Sequence, residues 1–557
     1  MSPMKQRETR VVMGRFALAA AALLAAAPAA RAQIAAEPPL PKLKSVTPEA
    51  QRVHEMITLH GENFGRFEPG DSVVVFASGA VAIKVGAPYV WRDGFIQVRV
   101  PVGHRVGPTI TPVPKDAGLK VYVVNAVGES NTKKFRVITS DGDLKFVERT
   151  KIVEQHDVSD FLGDPEFNLA RTKDAEIGDI NADGYPDLID NNSWNVWNET
   201  HSVIRFNRAG EQFSALRWEP VGPGEPYRFA VTIPDDGDFG GNLVTYDADF
   251  ADLDNDELVD WIQAAAQTSP TRLRIAMNNH NGRPGRFLES TSRWLPEPSF
   301  GGSPDDIAHV DVNGDGFVDI GVGVRFSPAA AVLLNRGGET FHDPITLSLE
   351  APYGSIHDTF FTDANTDNLW DVFLANESGD AQIYLQDRSV DPPFTAGPVI
   401  PFASYTGIPA DFNGDGLGDF ALGGCAAVSV FVRNPPWAIS PYSEVELEDA
   451  TCLIYDLEAG DVNLDGTVDL IAAAITTDGE QTVRVWLNDG NADFKNVTSP
   501  GASALFPGIG DFQRLSADLI DFDVDGDLDL YITGADGIGV EGFGDAPNQF
   551  YENKLIE

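Results

Sequence analysis

Short apolar runs separated by acidic loops make up most of the chain from about residue 139 to its end. Residues 320–324, 372–375 and 530–533 are examples, each only four or five residues long. Runs of this length bounded by Gly, Asn and Asp predict β-strands rather than helices. The pattern therefore predicts an all-β fold in which the acidic loops form the turns of β-hairpins.

The acidic loops follow one pattern that occurs seven times. Each has Asp or Asn at positions 1, 3 and 5 and Asp at position 9, and position 6 is Gly except for Glu257 and Asn368. Successive loops start 73, 59, 52, 48, 50 and 60 residues apart, as expected for one repeated supersecondary unit. We number them loops 1 to 7; they begin at Asp179, Asp252, Asp311, Asp363, Asp411, Asp461 and Asp521.

This spacing suits calcium, because oxygen side chains at alternate positions of a tight loop can converge on one ion that takes about 6–8 oxygen ligands. We expect a backbone carbonyl from position 7 and a positive φ at position 6. The alternative is seven solvated acidic turns without metal. Position 12 is mostly apolar, so the loop is not an EF-hand. The predicted metal ligands are Asp179, Asn181, Asp183, Asp187, Asp252, Asp254, Asp256, Asp260, Asp311, Asn313, Asp315, Asp319, Asp363, Asn365, Asp367, Asp371, Asp411, Asn413, Asp415, Asp419, Asp461, Asn463, Asp465, Asp469, Asp521, Asp523, Asp525 and Asp529.

Four strands in each of seven repeats predict a β-propeller with one blade per repeat. The loops Asp-x-Asn-x-Asp-Gly-x-x-Asp also resemble the FG-GAP/VCBS repeat families. That resemblance covers residues 139–557 and implies a seven-bladed, Ca²⁺-binding propeller like that of integrin α-chain heads. Loops 2 and 4 depart from the family pattern at Glu257 and Asn368.

The two ends of the repeat region predict how the ring closes. The seventh repeat stops at residues 548–553, before its expected outer strand, and residues 141–150 match residues 489–498 of the sixth repeat. We therefore expect residues 144–156 to form the outer strand of the last blade, with Phe146 near Tyr551. This pairing would hide two sheet edges.

A polar residue also recurs five positions before each loop. Two interpretations remain open: a structural hydrogen bond between blades, or an acidic rim of the central channel that attracts a cation or basic group. Five residues of strand would place this ring roughly 16 Å from the ions. The residues are Asp174, Asp247, Asp306, Asp358, Thr406, Asp456 and Ser516.

The N-terminal residues 1–32 are typical of a secretory signal. Four basic residues precede an apolar run at 16–27, and Ala30-Arg31-Ala32 predicts cleavage after Ala32. The alternative, a membrane anchor, needs a longer run to span about 30 Å. A Pro-rich linker at 33–42 follows. We expect a secreted, periplasmic or cell-surface protein without a membrane span.

Residues 43–138 lack the repeat and predict a separate β-sandwich. Strand-like runs lie at 56–59, 72–76, 95–100, 119–124 and 134–138. The segments 57–65, with Gly61-Glu62-Asn63-Phe64-Gly65, and 125–131 resemble the IPT/TIG family of immunoglobulin-like (Ig-like) domains. The resemblance implies a spacer or interaction domain.

Charge narrows the range of partners. The net charge is −44, and removal of residues 1–32 leaves 35 basic and 83 acidic residues, or −48. Such a surface disfavours nucleic acid, whose phosphates need basic groups. The two cysteines, Cys425 and Cys452, are compatible with a disulfide or with two free thiols.

Catalytic motifs with a nucleophile elbow, a zinc-binding helix or a phosphate loop are absent from the sequence. We interpret His309 and His357 as packing residues. Trp91, Trp261, Trp370, Trp437 and Trp486 fit core positions better than sugar-stacking ones. The favoured function is a monomeric, exported calcium-binding protein that binds or adheres to an extracellular protein or glycan. The alternative is a polysaccharide-active, lyase-like enzyme with a His or Tyr base beside Ca²⁺.

Overall fold

A computed structural model describes most of the chain from residue 38 to residue 556. The predicted signal at 1–32 and most of the predicted linker lie outside the described residues. The structure describes residues 38–556 except 107–108, 116–117, 141, 151–171, 193–202, 212, 216–243, 267–271, 279–281, 283, 296–299, 301, 350–353, 426, 435–440, 450–451, 477–482, 499–504, 508, 510–513 and 535–547.

The N-terminal module consists of two β-sheets that share one hydrophobic core, in which Leu59, Phe76, Trp91 and Val121 are at most 1% exposed. All five predicted strands are present, together with several that the sequence pattern did not predict. One sheet contains Lys42–Thr47, Met56–Glu62, Phe95–Arg99 and Val90–Arg92. The other contains Ala50–Gln51, Lys133–Val137, Leu119–Asn125, Val73–Ser78, Val81–Val85 and Gly128–Glu129, and a hairpin joins Gly103–Val106 to Thr109–Pro112.

The repeat region forms seven four-stranded antiparallel sheets within the described residues, which we number like their loops. Sheet 1 contains Thr172–Gly178, Asp187–Asn192, Val203–Asn207 and Phe213–Ala215. Sheet 2 contains Val244–Ala251, Asp260–Ala266, Arg272–Met277 and Leu288–Glu289. Sheet 3 contains Ser303–Val310, Asp319–Arg325, Ala329–Leu333 and Ile345–Ser348. Sheet 4 contains Ile356–Thr362, Asp371–Asn376, Ala381–Gln386 and Phe394–Ile400. Sheet 5 contains Thr406–Ala410, Asp419–Gly423, Ala427–Arg433 and Tyr442–Asp449. Sheet 6 contains Cys452–Gly460, Asp469–Thr476, Val483–Asn488 and Phe494–Asn496. Sheet 7 contains Arg514–Ile520, Asp529–Gly534, Gln549–Asn553 and Phe146–Glu148.

The all-β prediction is confirmed, since the one helix in the described part of the chain is the single turn Thr291–Trp294. The second strands are buried on both faces; every residue of Asp371–Asn376, for example, is buried. This explains why their sequences are continuous apolar runs rather than alternating ones. The first strands of successive sheets pack on one another, and the first strand of sheet 1 packs on that of sheet 7, as in a β-propeller.

The closing strand lies where the sequence predicts it within the described residues. Phe146–Glu148 pairs antiparallel with Gln549–Asn553, placing Phe146 opposite Asn553 and Glu148 opposite Tyr551. Phe146 is 3% exposed and belongs to the same apolar cluster as Tyr551. The last sheet is therefore assembled from both ends of the repeat region.

Candidate functional site

All seven acidic loops share one backbone conformation, with positive φ at both position 4 and position 6. Position 6 was expected from its glycines, and Glu257 (φ 70°) and Asn368 (φ 64°) adopt the same conformation without one. Loops 2 and 4 therefore keep the loop shape despite their sequence departures. Position 4 was not expected, because it is glycine only in loops 3 and 5. Ala182, Leu464 and Val524 adopt the same positive φ in other loops. Because position 4 holds different residue types in different loops yet has a positive φ in all seven, the loops share a constraint on their backbone.

The carboxylate at position 1 organises each loop by accepting backbone N–H groups. In loop 3, Asp311 accepts bonds from the amides of Asp315 (3.0 Å) and Gly316 (2.8 Å). Asp315 at position 5 accepts the amide of Phe317 at position 7 (3.0 Å). These bonds curl the loop so that its side-chain oxygens face inward.

Several of these inward oxygens are buried and have no hydrogen-bond partner. They are Oδ1 of Asn181, Asp254 and Asn313 at position 3 and Oδ1 of Asp461 at position 1. In loop 2, one oxygen from each of Asp252, Asp254 and Asp260 lies within 4.8 Å of the others, and Asp521, Asp523 and Asp525 of loop 7 form a similar group. Buried oxygens left unpaired are costly. Oxygen atoms converging in this way fit a hard cation such as Ca²⁺.

The carboxyl at position 1 of each loop also has a raised pKa. Burial, with the neighbouring Asp315 carboxylate, raises the pKa of Asp311 to about 7. Burial and the neighbouring Asp465 carboxylate raise the pKa of Asp461 to about 8. In both cases the ionised group loses water and meets like charge. A divalent ion would supply the missing positive charge.

The Asp at position 9 links three parts of the structure. In sheet 6, Asp469 accepts the amides of Val462 (3.2 Å) and of Asn488 at the end of the third strand (2.9 Å). The Asn488 side chain then donates to Phe412 O in loop 5 of the preceding sheet (2.7 Å). The role of position 9 as a metal ligand stays a prediction, because both of its oxygens already accept N–H groups.

This connection between sheets recurs around the ring. The sequence shows the donor of this bond as an Asn at the end of the third strand. It does not show which backbone carbonyl of the preceding sheet accepts the bond. Sheet 5 is different: Arg433 stands at this position, and its backbone amide donates to Asp419 (2.6 Å). The equivalent side-chain bonds join Asn207 to Phe522, Asn278 to Ile180, Asn335 to Leu253, Gln386 to Val312 and Asn553 to Val462, at 2.7–3.0 Å.

The acids five positions before the loops form hydrogen bonds between neighbouring sheets, the first of the two interpretations. Asp306 accepts the amide of Thr359 (2.7 Å), and Asp358 accepts that of Gly407 (2.7 Å). Asp247 and Asp456 bond in the same way, to Ile307 (2.8 Å) and Ala517 (2.9 Å). A shift in strand register precedes each of these four acids, whereas the corresponding strand of sheet 5, with Thr406, pairs without one. The side chain of Asp174 lies outside the described residues.

These acids and the first strands line a cavity of about 910 Å³ that the N-terminal module also borders. Each ring nitrogen of His357 lies there within ion-pair distance of a carboxylate, Nδ1 at 2.7 Å from Asp305 and Nε2 at 2.6 Å from Glu377. His309 contacts the Asp249 carboxylate through Nδ1. Both histidines therefore have charged partners, which the packing interpretation did not foresee.

The N-terminal module contacts the acidic loops directly, so it is not a spacer held away from the propeller. Tyr89 O accepts the amide of Asp311 in loop 3 (3.0 Å), and Pro88 O accepts the indole N–H of Trp370 in loop 4 (2.9 Å). Three arginines of the module reach loop carboxylates. The ion pairs are Arg52–Asp521 (3.1 Å), Arg92–Asp252 (3.6 Å) and Arg105–Asp415 (2.8 Å).

The remaining tryptophans and cysteines have structural explanations where the structure describes them. Trp91 and Trp486 are 1% exposed and Trp261 is 6% exposed, which agrees with core positions. Trp437 lies outside the described residues. Cys425 is an exposed free thiol rather than half of a disulfide.

Comparison with known proteins identifies part of the repeat region. Residues 461–532, which span loops 6 and 7, match the FG-GAP-like repeat family. No curated protein matches the chain. Within the described residues, no helix has both the length and the apolar character needed to cross a membrane.

Several solved structures are similar to this chain at low identity. One is a lectin of Agrocybe aegerita that recognises non-reducing terminal N-acetylglucosamine (16% identity, 78% of this chain and 90% of that one, TM-score 0.38). Another is an auxiliary nutrient binding protein from Bacteroides thetaiotaomicron (9%, 92% and 98%, 0.36). A third, from the same organism, is described as a candidate phosphatase (11%, 93% and 98%, 0.34). At these scores none of them argues for a ligand or a reaction.

Proposed function

We propose that this chain is an exported protein built on a seven-bladed, calcium-binding propeller of the FG-GAP type, with an IPT/TIG-like module at 43–138. It works as a binding or adhesion module for an extracellular protein or glycan. The observation that carries the calcium proposal is the set of buried loop oxygens without hydrogen-bond partners, at Asn181, Asp254, Asn313 and Asp461. A metal ion at the centre of each loop would use them.

The charges of the loops support coupling between metal binding and folding. The seven loops hold 23 carboxylates at positions 1, 3, 5 and 9, and seven Ca²⁺ ions would offset 14 of those charges. Without metal, like charges buried together destabilise the fold. Ion binding then contributes directly to the free energy of folding.

An aromatic row in the cavity supports ligand binding there. The rings of His357 and Tyr405 lie 4.8 Å apart, and Tyr455 lies 6.1 Å beyond Tyr405. Asp358 and Asp456 line the same cavity. Aromatic faces beside carboxylates provide both an apolar and a polar surface, as carbohydrate recognition requires.

The test is a glycan and matrix-protein array, run with Ca²⁺ and with chelator, together with metal analysis of the purified protein. We expect a metal content near seven ions per chain and binding that chelator abolishes. Tyr405→Ala should remove glycan binding, whereas Tyr384→Ala, outside the cavity lining, should keep it. Metal-free protein with unchanged binding would refute the proposal.

A second candidate, the polysaccharide-active enzyme, is favoured by one arrangement. His309 lies two residues before loop 3, contacts Asp249, and packs edge-on against Tyr89 with ring centroids 5.2 Å apart. A His–Asp pair beside a metal loop could act as a general base. Release of shortened or unsaturated sugars from uronate polysaccharides, lost in His309→Gln, would support this candidate; intact polysaccharides would exclude it for those substrates.

A further inference from the structure

Loops 2 and 7 are more acidic than the other five at their predicted metal ligands. Position 3 is Asp254 in loop 2 and Asp523 in loop 7, whereas it is Asn elsewhere. Each of these two loops therefore has four candidate carboxylates instead of three. One Ca²⁺ ion would leave a three-carboxylate loop with a charge of −1 and a four-carboxylate loop with −2.

The same two loops receive an arginine of the N-terminal module at position 1. Arg52 Nη1 contacts Asp521 Oδ2 at 3.1 Å, and Arg92 Nη2 contacts Asp252 Oδ2 at 3.6 Å. The positive charge of each arginine offsets the negative charge that the extra Asp adds. Arg105 contacts loop 5 differently, at position 5.

Arg52 is firmly placed. Its side chain is 3% exposed, and Nη1 also donates to Gly526 O at 3.0 Å. Moving it away would leave a buried charge without its partners, which is strongly unfavourable. A metal ion in loop 7 must therefore bind beside a fixed guanidinium.

From these contacts we infer that Arg52 and Arg92 share the position-1 carboxylates of loops 7 and 2 with the bound metal. The module thereby weakens metal binding at these two loops. It also keeps their position-1 carboxylates paired with an arginine when the ion leaves. This inference rests on the proposed calcium binding. It assigns the module a regulatory contact: loops 2 and 7 exchange their ions at higher free Ca²⁺ than they would without it.

The test is amide hydrogen exchange of the full chain across a series of free Ca²⁺ concentrations, followed in peptides from loops 2, 3 and 7. In Arg52→Gln, the Ca²⁺ concentration that half-protects loop 7 should fall roughly tenfold, because a single positive charge no longer opposes the ion at close range. Loop 3 should keep its midpoint. Arg52→Lys retains the charge and should stay near wild type, and Lys44→Gln, an exposed module cation paired with Glu62, is the matched control.

The outcomes separate this inference from the proposed function. If loop 3 exchange is independent of Ca²⁺, calcium binding itself is wrong. If loop 3 responds but the loop 7 midpoint in Arg52→Gln is unchanged or rises, the shared carboxylate is wrong. Should Arg52→Gln fail to fold, Arg92→Gln decides the question at loop 2, because the Arg92 side chain is 20% exposed and easier to replace.

Discussion

The hydrogen bonds of Asn488 give the most direct test of how neighbouring sheets are held together. The side chain is 3% exposed, and Nδ2 donates both to Phe412 O in the preceding sheet (2.7 Å) and to Val468 O in its own (2.9 Å). Oδ1 accepts the amide of Gly490 (3.1 Å). Asn488→Ala removes all three bonds at once.

The expected cost follows from these contacts. Each bond contributes about 0.5–1.5 kcal/mol, and a buried carbonyl left without a donor adds to the loss. We expect Asn488→Ala to lower the free energy of unfolding by about 3–4 kcal/mol. The backbone bond from the Asn488 amide to Asp469 remains, so the third strand should keep its register.

Urea unfolding at saturating Ca²⁺, followed by far-UV circular dichroism and tryptophan fluorescence, measures this loss. Asn491→Ala is the matched control, because Asn491 lies exposed in the same turn and should change stability by less than about 0.5 kcal/mol. If the two variants unfold at the same urea concentration, Asn488 does not connect the sheets energetically.

Three further predictions concern pH, closure and the free thiol. Burial raises the pKa of Asp311 to about 7, so the folded, metal-free protein holds protons that the unfolded chain releases above about pH 4. The melting temperature of the protein in chelator should therefore decrease as the pH is raised from 5 to 8, and an increase would contradict the raised pKa. Phe146→Ala removes a buried side chain of the closing strand from the core, and should lower the free energy of unfolding in urea by about 3–5 kcal/mol. Hydrogen exchange in residues 549–553 should become faster. A loss below about 1 kcal/mol would mean that closure depends little on this contact. Exposed Cys425 should react with a maleimide in the native protein, as mass spectrometry would show, and protection until unfolding would contradict its exposure.

The loops show which features a sequence can reveal. Glycine at position 6 predicted a positive φ, and the structure has it in every loop, even at Glu257 and Asn368. The positive φ at position 4 could not be predicted from composition, because only Gly314 and Gly414 supply glycine there and residues such as Val524 are poor choices for it. It is imposed by the closed loop and not by local preference.

Contacts between distant segments were predictable only where the sequence of one segment repeats a unit found elsewhere in the chain. Closure by Phe146 was evident because residues 141–150 repeat a segment of the sixth unit. The arginines of the N-terminal module gave no such mark, because Arg52, Arg92 and Arg105 are scattered among strands and loops. Their partners become evident only when the module lies against the acidic loops.

Differential scanning calorimetry before and after exhaustive treatment with EDTA tests the central claim most directly. If calcium occupies the loops, each site saturated about 100-fold above its dissociation constant contributes about 2.7 kcal/mol. Chelation should then lower the melting temperature substantially, and added Ca²⁺ should restore it. An identical melting temperature with and without metal would contradict the account.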